Sequence, residues 1–66
     1  MKLLINGEFR EIEPVETLPE LIDSLGLSGA ALLVEHNGVA LHRSEWSECS
    51  LKAGDQLEFL RIAAGG

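Results

Sequence analysis

One stretch of this chain carries a helical apolar repeat, and it dictates what the rest must be. Leu18, Leu21, Ile22 and Leu25 recur at i, i+3, i+4 and i+7, the spacing that lines up side chains along one face of an α-helix. Thr17 fits the N-cap, and Pro19 falls in the first turn, where a missing N–H is tolerated. Glu20 stands three residues after Thr17, as a capping box requires. Gly26 suits the position just past the helix end, where left-handed backbone is common. The spacing predicts a helix over residues 18–25. A stripe on so short a helix has no core of its own. It must be laid across a sheet, because nothing else in the chain can bury it.

The flanking segments supply the strands. Residues 2–6 read as a strand with Leu3 and Ile5 on one face, and Asn6-Gly7 is a turn, since both residues tolerate positive φ. Residues 9–13 read as the returning strand. Phe9 and Ile12 fall on opposite faces of a regular strand, so a bulge or an early strand end is expected. Residues 30–35, nearly all apolar, read as a third strand, central in the sheet. His36-Asn37-Gly38 is a hairpin signal, and residues 39–41 return. Arg43-Ser44-Glu45-Trp46 reads as a single helical turn, with Trp46 covering one end of the core. Leu51-Lys52-Ala53-Gly54-Asp55 is a tight turn into a last strand over residues 56–62. If the first and last strands pair in parallel, the result is an α+β roll of the β-grasp kind: a mixed sheet of about five strands crossed by one main helix.

Size and charge exclude several classes of function. The chain has 66 residues, which is one small domain. It has a single cysteine, Cys49, so it holds no internal disulfide and no thiolate-rich zinc or iron–sulfur site. The formal net charge of −6 argues against nucleic acid and favours basic protein surfaces as partners. There is no apolar run long enough to span a membrane, and the first residues turn polar too soon for a signal peptide, so the expected location is the cytoplasm.

After the last strand the side chains dwindle to Ala63-Ala64-Gly65-Gly66. Two terminal glycines contribute nothing to a core and cost the most to order. A frayed end explains them. They also make a thin peptide with a carboxylate at its tip, suited to a narrow enzyme channel. The expected organisation is a domain over residues 1–62 and a flexible tail over 63–66.

Taken together, these features resemble the ThiS family, the sulfur carriers of thiamine biosynthesis. The likeness runs through Asn6-Gly7, the capped helix, Val34-Glu35-His36-Asn37-Gly38-Val39 and Arg43-Ser44-Glu45-Trp46. It continues through Leu51-Lys52-Ala53-Gly54-Asp55-Gln56-Leu57-Glu58 to Ala64-Gly65-Gly66. The resemblance implies a ubiquitin-like β-grasp fold and a carrier cycle. A ThiF-like adenylating enzyme uses ATP to adenylate the Gly66 carboxylate, and a persulfide sulfur donor displaces AMP. The Gly66 thiocarboxylate then gives its sulfur to a ThiG-like thiazole synthase. On this reading Ala63, Ala64 and Gly65 thread into the partners, and the chain is a co-substrate that binds no cofactor or metal and is no enzyme itself. Two neighbouring readings share the Gly-Gly end: the small subunit of molybdopterin synthase, and a protein modifier joined through Gly66 to lysine.

Other candidate chemistry is weaker. Cys49 lies beside Glu48, with Lys52 three residues on, which gives no reason for a reactive thiolate. His36 and His42 flank the residue 39–41 strand, but two imidazoles alone make a poor metal site, and plain surface histidines are expected. Glu45 and Glu48 are expected to be solvated. Leu60 and Ile62 are of more interest. By strict alternation Leu57, Phe59 and Arg61 share one face of the last strand, and Gln56, Glu58, Leu60 and Ile62 the other. One face belongs to the core. The other is either an exposed patch that docks partners or a second buried face.

Overall fold

The computed structural model describes residues 1–28 and 30–62 of the protein. The expected tail, residues 63–66, lies outside the described residues. The helix forms where the apolar repeat puts it: α1 is Leu18–Ser24, with Leu25 as C-cap and Gly26 beyond it at φ +74°. Leu18, Leu21 and Ile22 are buried, and Leu25 packs partly buried against the same core. Thr17 is the N-cap, yet the capping box is replaced by another arrangement. The Thr17 hydroxyl lies 3.0 Å from a Glu20 carboxylate oxygen and makes no bond to a helix N–H. The first helical donor is satisfied elsewhere, because Leu18 N–H donates to the Cys49 carbonyl at 3.0 Å. Thr17 itself is extended and bridges to Ser50. A neighbouring chain segment therefore does the work of a local cap.

The strands are β1 (Lys2–Ile5), β2 (Glu8–Glu11), β3 (Leu32–His36), β4 (Val39–Leu41) and β5 (Gln56–Arg61). They form one sheet in the order β2-β1-β5-β3-β4. The β1–β5 pair is parallel and the others antiparallel, which is the mixed β-grasp roll. The last strand, rather than the apolar third one, lies at the centre. Both hairpins turn on Asn-Gly with positive φ at both residues: +50° and +81° at Asn6 and Gly7, +49° and +83° at Asn37 and Gly38. That conformation matches the twist of the strands it joins, and glycine carries it without strain. The mismatch between Phe9 and Ile12 resolves as an early strand end: β2 stops at Glu11, and Ile12 N–H donates to the Met1 carbonyl at 2.8 Å.

The core lies between α1 and one face of the sheet. Leu3 and Ile5 of β1, Leu57 of β5 and Val34 of β3 meet Leu18, Leu21 and Ile22 there. Fully burying each such side chain contributes on the order of 1.5–3 kcal/mol. The expected helical turn is a longer 3₁₀ helix, Arg43–Glu48, which carries Trp46 into the core beside Cys49. The Arg43 guanidinium lies over the Trp46 ring at 5.1 Å.

Candidate functional site

β5 is the central strand of the sheet, and its surroundings define the candidate site. Its register is held by two asparagine side chains acting as pieces of strand. At one end, Phe59 N–H donates to Asn6 Oδ1 at 2.7 Å, and Asn6 Nδ2 donates to the Phe59 carbonyl at 3.3 Å. At the other, Gln56 N–H donates to Asn37 Oδ1 at 2.8 Å, and Asn37 N–H donates to the Gln56 carbonyl at 2.8 Å. The turn residues thus extend the ladder past the ends of β1 and β3. Pairing persists to the last described residue, where Ile62 N–H donates to the Ala31 carbonyl at 2.8 Å.

The two faces of β5 differ as alternation predicts. Leu57 is fully buried and Phe59 packs partly buried on the core, whereas Leu60 is 62% exposed and Ile62 45%. The outer face is therefore exposed and not a second buried face. Leu33 of β3 stands directly opposite Leu60 and is 56% exposed. Ala40 of β4 is opposite Glu35, and Phe9 of β2 is opposite Leu4. A hollow of about 490 Å³ runs over this surface, bordered by Asn6, Leu33, Glu35, Ala40, Glu58 and Leu60. Sequence reasoning named Leu60 and Ile62 but missed Leu33, Glu35 and Ala40. The signal was present in the alternation of β3, where Leu33 and Glu35 fall opposite Val34.

The remaining candidates fall into structural places. Cys49 is buried, and its thiol is pushed up, first by burial and then by the nearby Asp55 charge, which disfavours the thiolate that sulfur chemistry needs. His36 is not the plain surface histidine expected. It is partly buried, with Nε2 2.8 Å from Asp55 Oδ2, and so ties the end of β3 to the turn before β5. That contact joins residues 19 apart in sequence, out of reach of local pattern. Burial alone would raise the Asp55 carboxyl. Hydrogen bonds from His36, Lys52 N–H and Asn37, together with the His36 charge, outweigh it and hold Asp55 below the usual carboxylate value. His42 is exposed, and its backbone N–H donates to Glu45 Oε1 at 2.7 Å. Glu45 therefore serves as a helix cap, while Glu48 is exposed. Among the described residues, no group of three or more His, Cys, Asp or Glu side chains could hold a metal. No described helix is long and apolar enough to cross a membrane. Gly66, with Ala63, Ala64 and Gly65, lies outside the described residues.

Comparison with known proteins agrees with this architecture. The chain superposes on the crystal structure of a thiamine biosynthesis protein (ThiS) from Geobacter metallireducens with a TM-score of 0.83. The two are 33% identical, and all of both chains is covered. A solution NMR structure of a thiamine biosynthesis protein from the same organism gives 0.82 at 32% identity, covering all of this chain and 88% of the other. Among curated proteins, the whole chain matches part of a thiazole synthase of Paramagnetospirillum magneticum at 33% identity. It also matches part of a thiazole synthase of Magnetococcus marinus at 32%. The chain spans about a fifth of the length of these curated relatives, 20% in each case. The ThiS family model matches residues 3–66, so the likeness takes in the central strand, both Asn-Gly turns and the Gly-Gly end together; on that match, the chain belongs to the ThiS family.

Proposed function

We propose that this chain is a sulfur carrier of thiamine biosynthesis whose working group is the Gly66 carboxylate. The observation that carries the reading is the family match through residue 66, which takes in the sequence Ala63-Ala64-Gly65-Gly66 that follows the central strand. A carboxylate is a poor electrophile. Attack of the Gly66 carboxylate on the α-phosphorus of ATP, in a ThiF-like enzyme, expels pyrophosphate and leaves an acyl adenylate. The terminal sulfur of a donor persulfide then attacks the carbonyl and expels AMP, and cleavage of the S–S bond by a thiol leaves the thiocarboxylate. A ThiG-like thiazole synthase takes this sulfur, and the likeness to stretches of thiazole synthases supports that recipient. The carrier needs no acid, base or metal of its own. It contributes a path of small residues, ending in two glycines, that a channel can close around, and the outer-face leucines and Ile62 dock the partners. The cycle belongs in the cytoplasm, where ATP and persulfide donors are at hand.

Reconstituted sulfur transfer followed by intact mass tests this. Wild-type protein should exchange one oxygen for sulfur at Gly66. Deleting Gly66, or adding a residue after it, should abolish the exchange and leave the melting curve nearly unchanged. Cys49→Ser should still gain sulfur at the normal rate. Undiminished sulfur gain by the extended protein, without trimming, would overturn the reading. A lysine adduct would point to a modifier instead, and acceptance of the sulfur only by a molybdopterin synthase large subunit would move the carrier to that pathway.

A further inference from the structure

The two asparagine splices of β5 are not equivalent. Asn37 meets Gln56 with one side-chain bond and one backbone bond. The entry to β5 is fastened further, because Leu4 N–H donates to the Asp55 carbonyl at 3.0 Å and Asp55 itself is tied to His36 and to Lys52 N–H. At Phe59, by contrast, both bonds come from the Asn6 side chain. The β1–β5 pairing ends at Ile5 and Leu57, and Asn6 N–H donates to the Leu57 carbonyl at 2.9 Å. Asn6 is thus the last residue that β1 lends to that side of β5. Beyond Phe59 the described pairing of β5 is with β3 alone: Leu33 with Leu60, Leu32 with Arg61, and Ile62 N–H with the Ala31 carbonyl. The turn does not require this amide. Asn6 has φ +50°, a conformation that Asp and Gly also adopt. Asn6 is exposed, yet both ends of its amide are engaged by a residue 53 positions away. Of the residues suited to such a turn, only Asn offers that donor and that acceptor together.

Resting on the sulfur-carrier reading, we propose that Asn6 is a positioning residue of the carrier reaction: its amide pins Phe59, so that the outgoing end of β5 already points one way when the adenylating enzyme takes the tail. A strand bonded along one side only keeps freedom to twist and peel, and a second line of bonds removes it. Without the Asn6 amide the one-sided stretch begins after Leu57 instead of after Phe59. A smaller fraction of the free carrier is then ready to bind, and apparent affinity falls by that fraction. Once the carrier is seated, the enzyme's own channel places the Gly66 carboxylate, and adenylation proceeds as before. Asn6 therefore acts on KM and leaves kcat alone.

The test follows pyrophosphate release by the ThiF-like enzyme of the same organism at varied carrier concentration, beside amide exchange and melting curves of the free carrier. Asn6→Gly should raise KM about threefold or more at unchanged kcat. It should also speed exchange at Leu60 and Ile62, whose N–H groups face β3. Asn6→Asp keeps an acceptor for Phe59 N–H, loses the donor and should fall between the two. Ile22→Val trims a buried side chain of α1, lowers the melting temperature comparably and should move KM less than about twofold. Asn37→Gly should speed exchange at Gln56 and leave Leu60 and Ile62 as in wild type. The proposal is overturned if Asn6→Gly keeps KM within about twofold of wild type, or lowers kcat at unchanged KM. It is equally overturned if Ile22→Val raises KM as much, because lost stability alone would then suffice. A raised KM without faster exchange would mean that Asn6 touches the enzyme itself, and also overturns it. So does loosening of Leu60 and Ile62 by Asn37→Gly to the same degree. Wild-type carrier that releases no pyrophosphate sinks the sulfur-carrier reading and this inference with it, whereas wild-type turnover with an indifferent Asn6→Gly sinks this inference alone.

Discussion

The two faces of the sheet are both apolar in part, yet only one is a core. On the inner face Leu3, Leu57 and Val34 are buried under α1. On the outer face Leu33, Leu60 and Phe9 remain more than half exposed. The difference does not lie in residue type, since β5 carries Leu57 on the inner side and Leu60 on the outer. It follows from there being one α-helix among the described residues, which can cover one face. An inner leucine contributes to folding; an outer leucine with no cover contributes little to folding and is available to a partner.

The largest expected effects break that division at the inner face. Leu21→Ala removes a fully buried side chain and should cost about 2–5 kcal/mol, much of the stability of a domain this small. Urea unfolding should show a lower midpoint at similar slope; an unchanged midpoint would show that α1 does not close the core. The outer-face counterpart, Leu33→Ala with Leu60→Ala, should weaken partner binding by about 1 kcal/mol or more if these leucines anchor the contact. Calorimetric titration with thiazole synthase measures this.

Between the faces sits the strand register. Asn6→Gly keeps the positive φ of the turn but removes both side-chain bonds to Phe59. It should cost about 1–2 kcal/mol and speed amide exchange at Phe59. A smaller effect concerns the rim of the inner face, where His36 meets Asp55. The folded-state pKa of Asp55 is depressed, so its contribution is fully present above the unfolded carboxylate value. It is lost as pH falls through the depressed folded value. Asp55→Asn should therefore flatten the acid limb of a stability–pH curve. The smallest expected change is in folding stability on the outer face. Leu60→Ser should shift unfolding by no more than about 0.5 kcal/mol, and a larger loss would show that the outer face shares in the core.

Much of this was legible beforehand because it is local. The Leu18, Leu21, Ile22 stripe, the Asn6-Gly7 and Asn37-Gly38 turns and the alternation of β5 each depend on residues within a few positions of one another. The helix, hairpins and strand faces accordingly formed where residue spacing placed them, within one or two residues at the ends. The Thr17–Glu20 capping box did not form, because the Thr17 hydroxyl bonds the Glu20 carboxylate instead of a helix N–H, and the Leu18 N–H is met by the Cys49 carbonyl, distant in sequence. His36 looked like a surface residue until the turn before β5 brought Asp55 to it. The candidate site divides in the same way. Leu60 and Ile62 were readable from β5 alone, whereas Leu33 and Glu35 joined them only through the β3–β5 register.

The amino-acid sequence by itself determined the elements, their turns, the one covering helix and a Gly-Gly end without side chains, since these follow from propensity, periodicity and backbone sterics over short spans. Tertiary structure alone decided that β5 is central, that Asn6 and Asn37 splice it to its neighbours, and that Glu35 faces Glu58 across the exposed face. Those outcomes depend on which strands pair and in what register. That choice is made by burying one shared apolar face beneath α1, and no short window of sequence contains it.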